Sequence, residues 1–210
     1  VSWLALVAGS YLLGSVSFSV LIVRAVRGFD LRERGSGNAG ATNTLRTAGP
    51  VAAVAVLLLD VGKGVAAVLA ARALGAPGPV VGAAAGAAVV GHTFPLYYGL
   101  RGGKGVATAT GALGTLAPLP ALPAAAVFFA VVAATRYVSL GSICALALFP
   151  AFVYLAGRVG WTEPAPGWLL ATAAGVAALV VGKHRGNLER LIAGEENRLG
   201  ERRDREEEAG

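Results

Sequence analysis

Long apolar stretches separated by short polar connections set the pattern of this chain. The apolar runs cover residues 2–23, 51–71, 79–98, 105–116, 121–135, 140–156 and 168–182. A transmembrane helix needs about 20 consecutive apolar residues, and runs of about 10–14 are more often re-entrant. The pattern therefore predicts an all-α, polytopic membrane protein with about seven transmembrane helices. The fourth run, and with it the fifth, is expected to be short, tilted or re-entrant. The first run is too long for the core of a signal peptide and is followed at once by Arg24 and Arg27, so it is read as a retained span.

Composition agrees: 55% of the 210 residues are hydrophobic and 14% charged, with a mean hydropathy of +0.65, outside the soluble globular range. The charges then orient the spans. With the amino terminus outside, Arg24, Arg27, Arg32, Arg34, Arg46, Arg101, Lys104, Arg136 and every Lys or Arg after Gly182 fall in the cytoplasm, with the carboxyl terminus. Only Arg72 and Arg158 fall outside. The net charge of +6 thus reports topology rather than nucleic-acid binding. No repeat or second domain is visible. Residues 1–194 are read as one membrane domain and residues 195–210 as a charged, disordered cytoplasmic tail. One cysteine, Cys144, in an apolar run and two separated histidines, His92 and His184, leave no disulfide framework and no zinc site. No Met is present, so the initiator is taken as removed or written as Val1, with little of the amino terminus missing.

The unusual chemistry lies in the connections assigned to the inside. In "RERGSGNAGATNTLR", Gly35, Gly37 and Gly40 permit close backbone approach. Ser36, Asn38, Thr42 and Asn43 supply neutral donors there, and Arg46 a charged fork. In "GHTFPLYYGLRGGKGVAT", Gly102, Gly103 and Gly105 surround Lys104 just before an apolar helix, an arrangement suited to phosphate. It is no Walker A motif, because the position four residues before Gly102 is Tyr98 and the residue after Lys104 is Gly105, so nucleotide hydrolysis is disfavoured. In "GKHRGNLERLIAGEENRLG", His184 and Asn187 lie three residues apart, on one face of a helix. Within the second run, Asp60 and Lys63 are also three apart. Such charges in a membrane are expected to pair or face a polar cavity, and they are read as a structural pair beside the site. His92 is read as a hydrogen-bonded structural residue.

The segments "GSGNAGATNTLR", "LLLDVGKG", "GHTFPLYYGLRGGKGVAT", "RYVSLGSI" and "KHRGNLERLIAGEE" together resemble the ordered motifs of the bacterial acyl-phosphate glycerol-3-phosphate acyltransferases, the PlsY family. The resemblance spans nearly the whole chain. It implies transfer of a fatty acyl group from acyl phosphate to the 1-hydroxyl of sn-glycerol 3-phosphate, giving lysophosphatidic acid, the first acylation of phospholipid synthesis. Family members lack the His-x4-Asp string of acyl-CoA-type enzymes; the nearest string here is His184 with Glu189.

An acyl phosphate carries a good leaving group, so the site must chiefly handle anions and place the hydroxyl by the carbonyl. The catalytic residues are expected to be Ser36, Arg46, Lys104, His184 and Asn187. Gly37, Asn38, Thr42, Asn43, Gly102, Gly103 and Ser142 are expected at the phosphates. The base is either His184 or an oxygen of the substrate phosphate. Neither metal nor cofactor is required, and no obligate protein partner is evident. The partners are the two phosphorylated substrates and the lipid bilayer, and the place is the bacterial cytoplasmic (inner) membrane with the site facing the cytoplasm. A transporter of a phosphorylated or anionic solute is the rival reading. It would require polar groups through the membrane and repeats, whereas polarity in the spans is confined largely to Asp60 and Lys63.

Overall fold

The structure, a computed structural model, describes residues 2–200. Among these residues the chain is all-α: α1 (Trp3–Ser15), α2 (Phe18–Arg27), α3 (Ala41–Ala48), α4 (Pro50–Ala73), α5 (Gly78–Thr93), α6 (Val106–Leu116), α7 (Pro118–Thr135), α8 (Val138–Arg158), α9 (Gly167–Lys183) and α10 (Arg185–Ile192). Five segments are long and apolar enough to cross a membrane: Trp3–Arg27, Pro50–Ala73, Gly78–Tyr98, Pro118–Thr135 and Val138–Arg158. α9 makes a sixth when taken with α10, from which it is bent by 54°.

The seven apolar runs all become helix, with two departures from expectation. α6 has 11 residues, about 16 Å of helix against a hydrocarbon core of about 30 Å, so it is the short element. α7 is not short, because it begins at Pro118 rather than at residue 121 and runs for 18 residues. Proline fits the first turn, where backbone N–H groups have no helical partner. The first run is broken, with α1 ending at Ser15 and α2 starting at Phe18. The Val16 carbonyl at the break accepts a hydrogen bond from Lys63 Nζ at 2.8 Å.

Helix contacts rest on glycine. A Cβ on Gly14 or Gly91 would strike the backbone of Ala88 or Tyr11, so α1 and α5 touch through bare backbone. Gly64 and Gly111 do the same for α4 and α6, against Thr108 and Val61. The core behind them is small and branched, with Val68, Ala84, Val89, Ala112, Leu113 and Val180 buried. α7 lies outermost, packed on α8, and Leu119, Leu122 and Phe129 on it are exposed, as expected for residues meeting lipid. α4 packs on α6, and between the α4–α6 and α7–α8 pairs runs an apolar groove with α6 at its floor.

Candidate functional site

Four connections meet at one end of this bundle. The first, residues 28–49, folds on its own side chains. Asn43 is buried; its Oδ1 accepts from the Ser36 backbone N–H at 3.0 Å and its Nδ2 donates to the carbonyls of Arg34 (3.0 Å) and Leu31 (3.3 Å). Asn43 therefore shapes the loop with both ends of its amide and is not a free donor. Arg32 pairs with Asp30 at 2.7 Å and donates through Nη1 to the Tyr98 carbonyl at 2.9 Å, which ties this loop to the second connection. There the Gly103 N–H donates to the His92 carbonyl at 3.1 Å. A Cβ on Gly102 would strike that same carbonyl, and one on Gly103 would strike the Ala39 carbonyl and the His92 imidazole. Neither glycine lines the cavity described below. This corrects their assignment to the phosphates: they let two loops and α5 approach one another, and that approach delivers Lys104.

The cavity measures about 890 Å³. Its polar end is lined by Ser36, Gly37, Asn38, Thr42, Arg46 and Lys104, and by Ser139, Ser142, Lys183, His184, Asn187 and Arg190. The leading turns of α3, α6, α8 and α10 all contribute lining residues. A helix N-terminus presents unpaired N–H groups and about half a positive charge. Four of them, with Arg46, Lys104 and Lys183, make an anion-seeking surface, while Arg190 is paired with Glu196, which also lines the cavity. Ser142 lies in the second turn of α8 and its Oγ donates to the Val138 carbonyl at 2.8 Å.

His184 is the junction between α9 and α10 and is buried. Its Nδ1 lies 2.7 Å from the Val180 carbonyl, which can only accept, so Nδ1 carries the proton and Nε2 keeps its lone pair. Burial pushes its pKa down to about 4; the Val180 contact opposes the shift and the Lys104 charge adds to it. Asn187 does not orient the imidazole. Its Nδ2 donates instead to Glu196 Oε1 at 2.6 Å.

Glu196 is the residue that sequence reasoning missed, because it was placed in a solvated tail. The start of that tail folds back over the site. Glu196 accepts from Ser139 Oγ at 2.8 Å, from Asn187, and from Arg190 Nε at 2.8 Å. Burial alone would raise its pKa, but these hydrogen bonds from Asn187, Ser139 and Arg190 hold it low. The Leu199 N–H donates to the Arg136 carbonyl at 2.7 Å, and Arg136 Nε donates back to the Leu199 carbonyl at 3.1 Å, which pins the segment to the α7–α8 turn. Three donors make a buried carboxylate tolerable where a solvated tail was expected. The rest of that tail, residues 201–210, lies outside the described residues. Arg190 was also missed, although it stands at the same three-residue spacing as His184 and Asn187.

Lys104 makes no ion pair among the described residues. Burial pushes its pKa down to about 8; Glu196 opposes the shift, and Arg190 and Arg46 add to it. Asp60 and Lys63 form their pair at 2.9 Å, and Asp60 and His92 also line the cavity. Beyond the charges the cavity continues as the apolar groove, bounded by Leu57 and Val61, Leu113, Ala125 and Phe128, and Phe149.

An all-helical membrane protein with an anion-seeking end joined to a hydrocarbon groove is suited to a ligand that carries both a phosphate and an apolar chain. A profile of the glycerol-3-phosphate acyltransferase family matches residues 4–194, and the chain belongs to that family as an integral membrane enzyme. The glycerol-3-phosphate acyltransferase of Halalkalibacterium halodurans is 48% identical over 204 residues, covering 96% of this chain and 97% of that one. That of Geobacter sulfurreducens is 45% identical over 200 residues, covering 93% and 97%. The crystal structure of PlsY (YgiH), an integral membrane glycerol 3-phosphate acyltransferase, in its glycerol 3-phosphate form, superposes with a TM-score of 0.87 at 39% identity, covering 95% of this chain and 96% of that one. Its lysophosphatidic acid form gives 0.83 at 37% identity, with the same coverage.

Proposed function

We propose that the chain transfers a fatty acyl group from acyl phosphate to the 1-hydroxyl of sn-glycerol 3-phosphate, releasing lysophosphatidic acid and inorganic phosphate. The observation that carries this reading is the single cavity that joins a cationic end, fit for two phosphates, to a groove fit for an acyl chain. The hydroxyl oxygen attacks the acyl carbonyl carbon, the bond from that carbon to the phosphate oxygen breaks, and the hydroxyl proton passes to a phosphate oxygen. Arg46, Lys104 and the helix N-termini hold the phosphates and offset the charge that develops on the carbonyl oxygen. Ser36 and Thr42 add neutral contacts, with Gly37 and Asn38 beside them.

His184 accepts a hydrogen bond from the glycerol hydroxyl through Nε2 and aims it. A phosphate monoester takes up a proton at about pH 6 in water, whereas burial pushes His184 down to about 4, which leaves the imidazole the weaker base. The phosphate is the better base, which favours substrate-assisted proton transfer. Asn187 acts through Glu196, and Ser142 contributes its remaining lone pairs at the edge of the site. Transport of an anionic solute is less well supported, because Asp60 and Lys63 inside the bundle pair with each other and Lys63 also donates to the Val16 carbonyl.

Purified protein with glycerol 3-phosphate and palmitoyl phosphate should form lysophosphatidic acid, and EDTA should leave the rate unchanged. Equal turnover with palmitoyl-CoA, or a loss in EDTA that magnesium restores, would reject the donor and the metal-free chemistry. The cavity is assigned to the cytoplasmic side of the bacterial inner membrane, with the amino terminus outside. In a Cys144→Ser background, cysteines at the exposed positions Arg101 and Ala193 should react with an impermeant maleimide only in inside-out vesicles. Reaction in intact spheroplasts would reverse the topology.

A further inference from the structure

The buried charges inside the bundle lie outside the chemistry just described, yet they reach it through the backbone. Asp60, Lys63, His92 and Thr108 are all buried, on α4, α5 and α6. Lys63 Nζ is 2.9 Å from Asp60 Oδ1, and the His92 Nδ1 is 3.6 Å from that same oxygen. Oδ1 accepts no aligned hydrogen bond, so it sits between two partners as a charge. His92 Nδ1 is 3.1 Å from Thr108 Oγ1, in the first turn of α6. The other edge of the ring faces Gly103, whose Cα leaves no space for a side chain there, and the His92 carbonyl holds the Gly103 N–H. Lys104 is the next residue.

A buried ion pair is a weak source of stability, because desolvation offsets much of its attraction. Its retention inside an apolar bundle therefore calls for another role. We propose that Asp60 and Lys63 are positioning residues of the anion site: they fix the His92 imidazole, on which the Gly102–Gly103 backbone is moulded, so that Lys104 and the α6 N-terminus face the bound phosphate. The inference rests on the assignment of Lys104 to a substrate phosphate. The chain of contacts explains why Gly102 and Gly103 have no room for side chains although they do not line the cavity. It also explains why Lys63 bridges to the broken first span: the Val16 carbonyl, at 2.8 Å, gives the ammonium a second anchor besides Asp60.

The test removes the charges without leaving one behind. Asp60→Leu/Lys63→Met replaces the pair by apolar groups of similar size, a change that buried pairs often tolerate. Two readouts need no acyl donor. The first is the NMR titration of lysines reductively methylated with labelled formaldehyde, in which Lys104→Arg assigns the Lys104 signal. The second is glycerol 3-phosphate affinity by calorimetry. The native Lys104 signal should titrate near pH 8. In the double variant, with unchanged elution and helicity, it should move up by a unit or more as the loop opens to water, and affinity should fall at least tenfold. His92→Ala should repeat both effects, and so should His92→Asn, which keeps a polar atom near the Nδ1 position for Thr108 but removes the ring edge against which Gly103 rests.

A folded double variant with native titration and native affinity would overturn the proposal. Should that variant fail to fold, native affinity in His92→Ala would overturn it equally. Because neither readout uses acyl phosphate, failure of the donor assignment leaves this test intact.

Discussion

The two sets of charges in this molecule are built in opposite ways. Inside the bundle, Asp60 and Lys63 neutralise each other, Lys63 donates to the Val16 carbonyl, and their side chains are almost wholly hidden. At the cavity end, Arg46 and Lys104 make no ion pair among the described residues, and the nearby carboxylate, Glu196, is already held by Ser139, Asn187 and Arg190. The difference teaches which charges are structural and which await a ligand. A charge that the fold has neutralised holds elements together. A cation left without its counterion beside four helix N-termini stores binding energy for an anion that arrives later.

The largest expected effect tests that contrast directly. Arg46→Ala and Lys104→Ala each remove a charged hydrogen bond to a phosphate, worth about 1.5–3 kcal/mol, so kcat/KM should fall about 10- to 150-fold in each. Each change removes a desolvated cation and breaks no internal contact, so neither variant should melt earlier than the native protein. A variant that melts early yet retains activity per folded molecule would place Arg46 or Lys104 with the structural charges instead.

How much of this was legible in the sequence follows the same division. The apolar runs gave the helices, since hydropathy over a span is local. The loops of glycine and arginine around Ser36 and Lys104 pointed to the polar end of the cavity, where the fold brings Ser36, Arg46 and Lys104 together, because their composition has no use in a lipid-facing connection. What the sequence concealed depends on partners far along the chain. The break after Ser15 is stabilised by Lys63, 47 positions beyond Val16, and nothing near residue 16 announces it. Glu196 reads as one more acid in a charged tail until Ser139, 57 positions away, is seen to bind it. Gly102 and Gly103 look like phosphate ligands by composition, and only the position of His92 shows that they make room for backbone.

The apolar arm of the cavity offers a second way to sharpen the comparison, since it should discriminate by length and not by charge. Ala125 on α7 lines the groove opposite Leu57 and Val61. Ala125→Trp would fill the space of two or three methylenes, each worth about 0.8 kcal/mol when buried. Selectivity for a long acyl donor over a short one should fall about 15- to 60-fold in kcat/KM, with the KM for glycerol 3-phosphate unchanged. Uniform loss across donors of every length would mean that the acyl chain lies elsewhere.

The smallest effects are pH dependences, and their signs separate Lys104 from His184. The Lys104 ammonium in the free protein titrates at about 8, below its ordinary 10.5, and a bound dianion favours the ammonium and raises that value. Binding above pH 8 must therefore take up a proton, so affinity for phosphate should decline about tenfold per pH unit above 8 and be insensitive to Lys104 below it. Lys104→Arg, which stays charged throughout, should remove the decline. His184 has the opposite bearing: at about 4, below its ordinary 6.5, it is neutral across the working range. The turnover number at saturating substrate should then fall on the acid side only as the bound phosphate, the base, takes up a proton, and that limb should persist in His184→Asn. A limb in kcat near pH 6.5 that vanishes in His184→Asn would instead make the imidazole the base and overturn the assignment of the proton to phosphate.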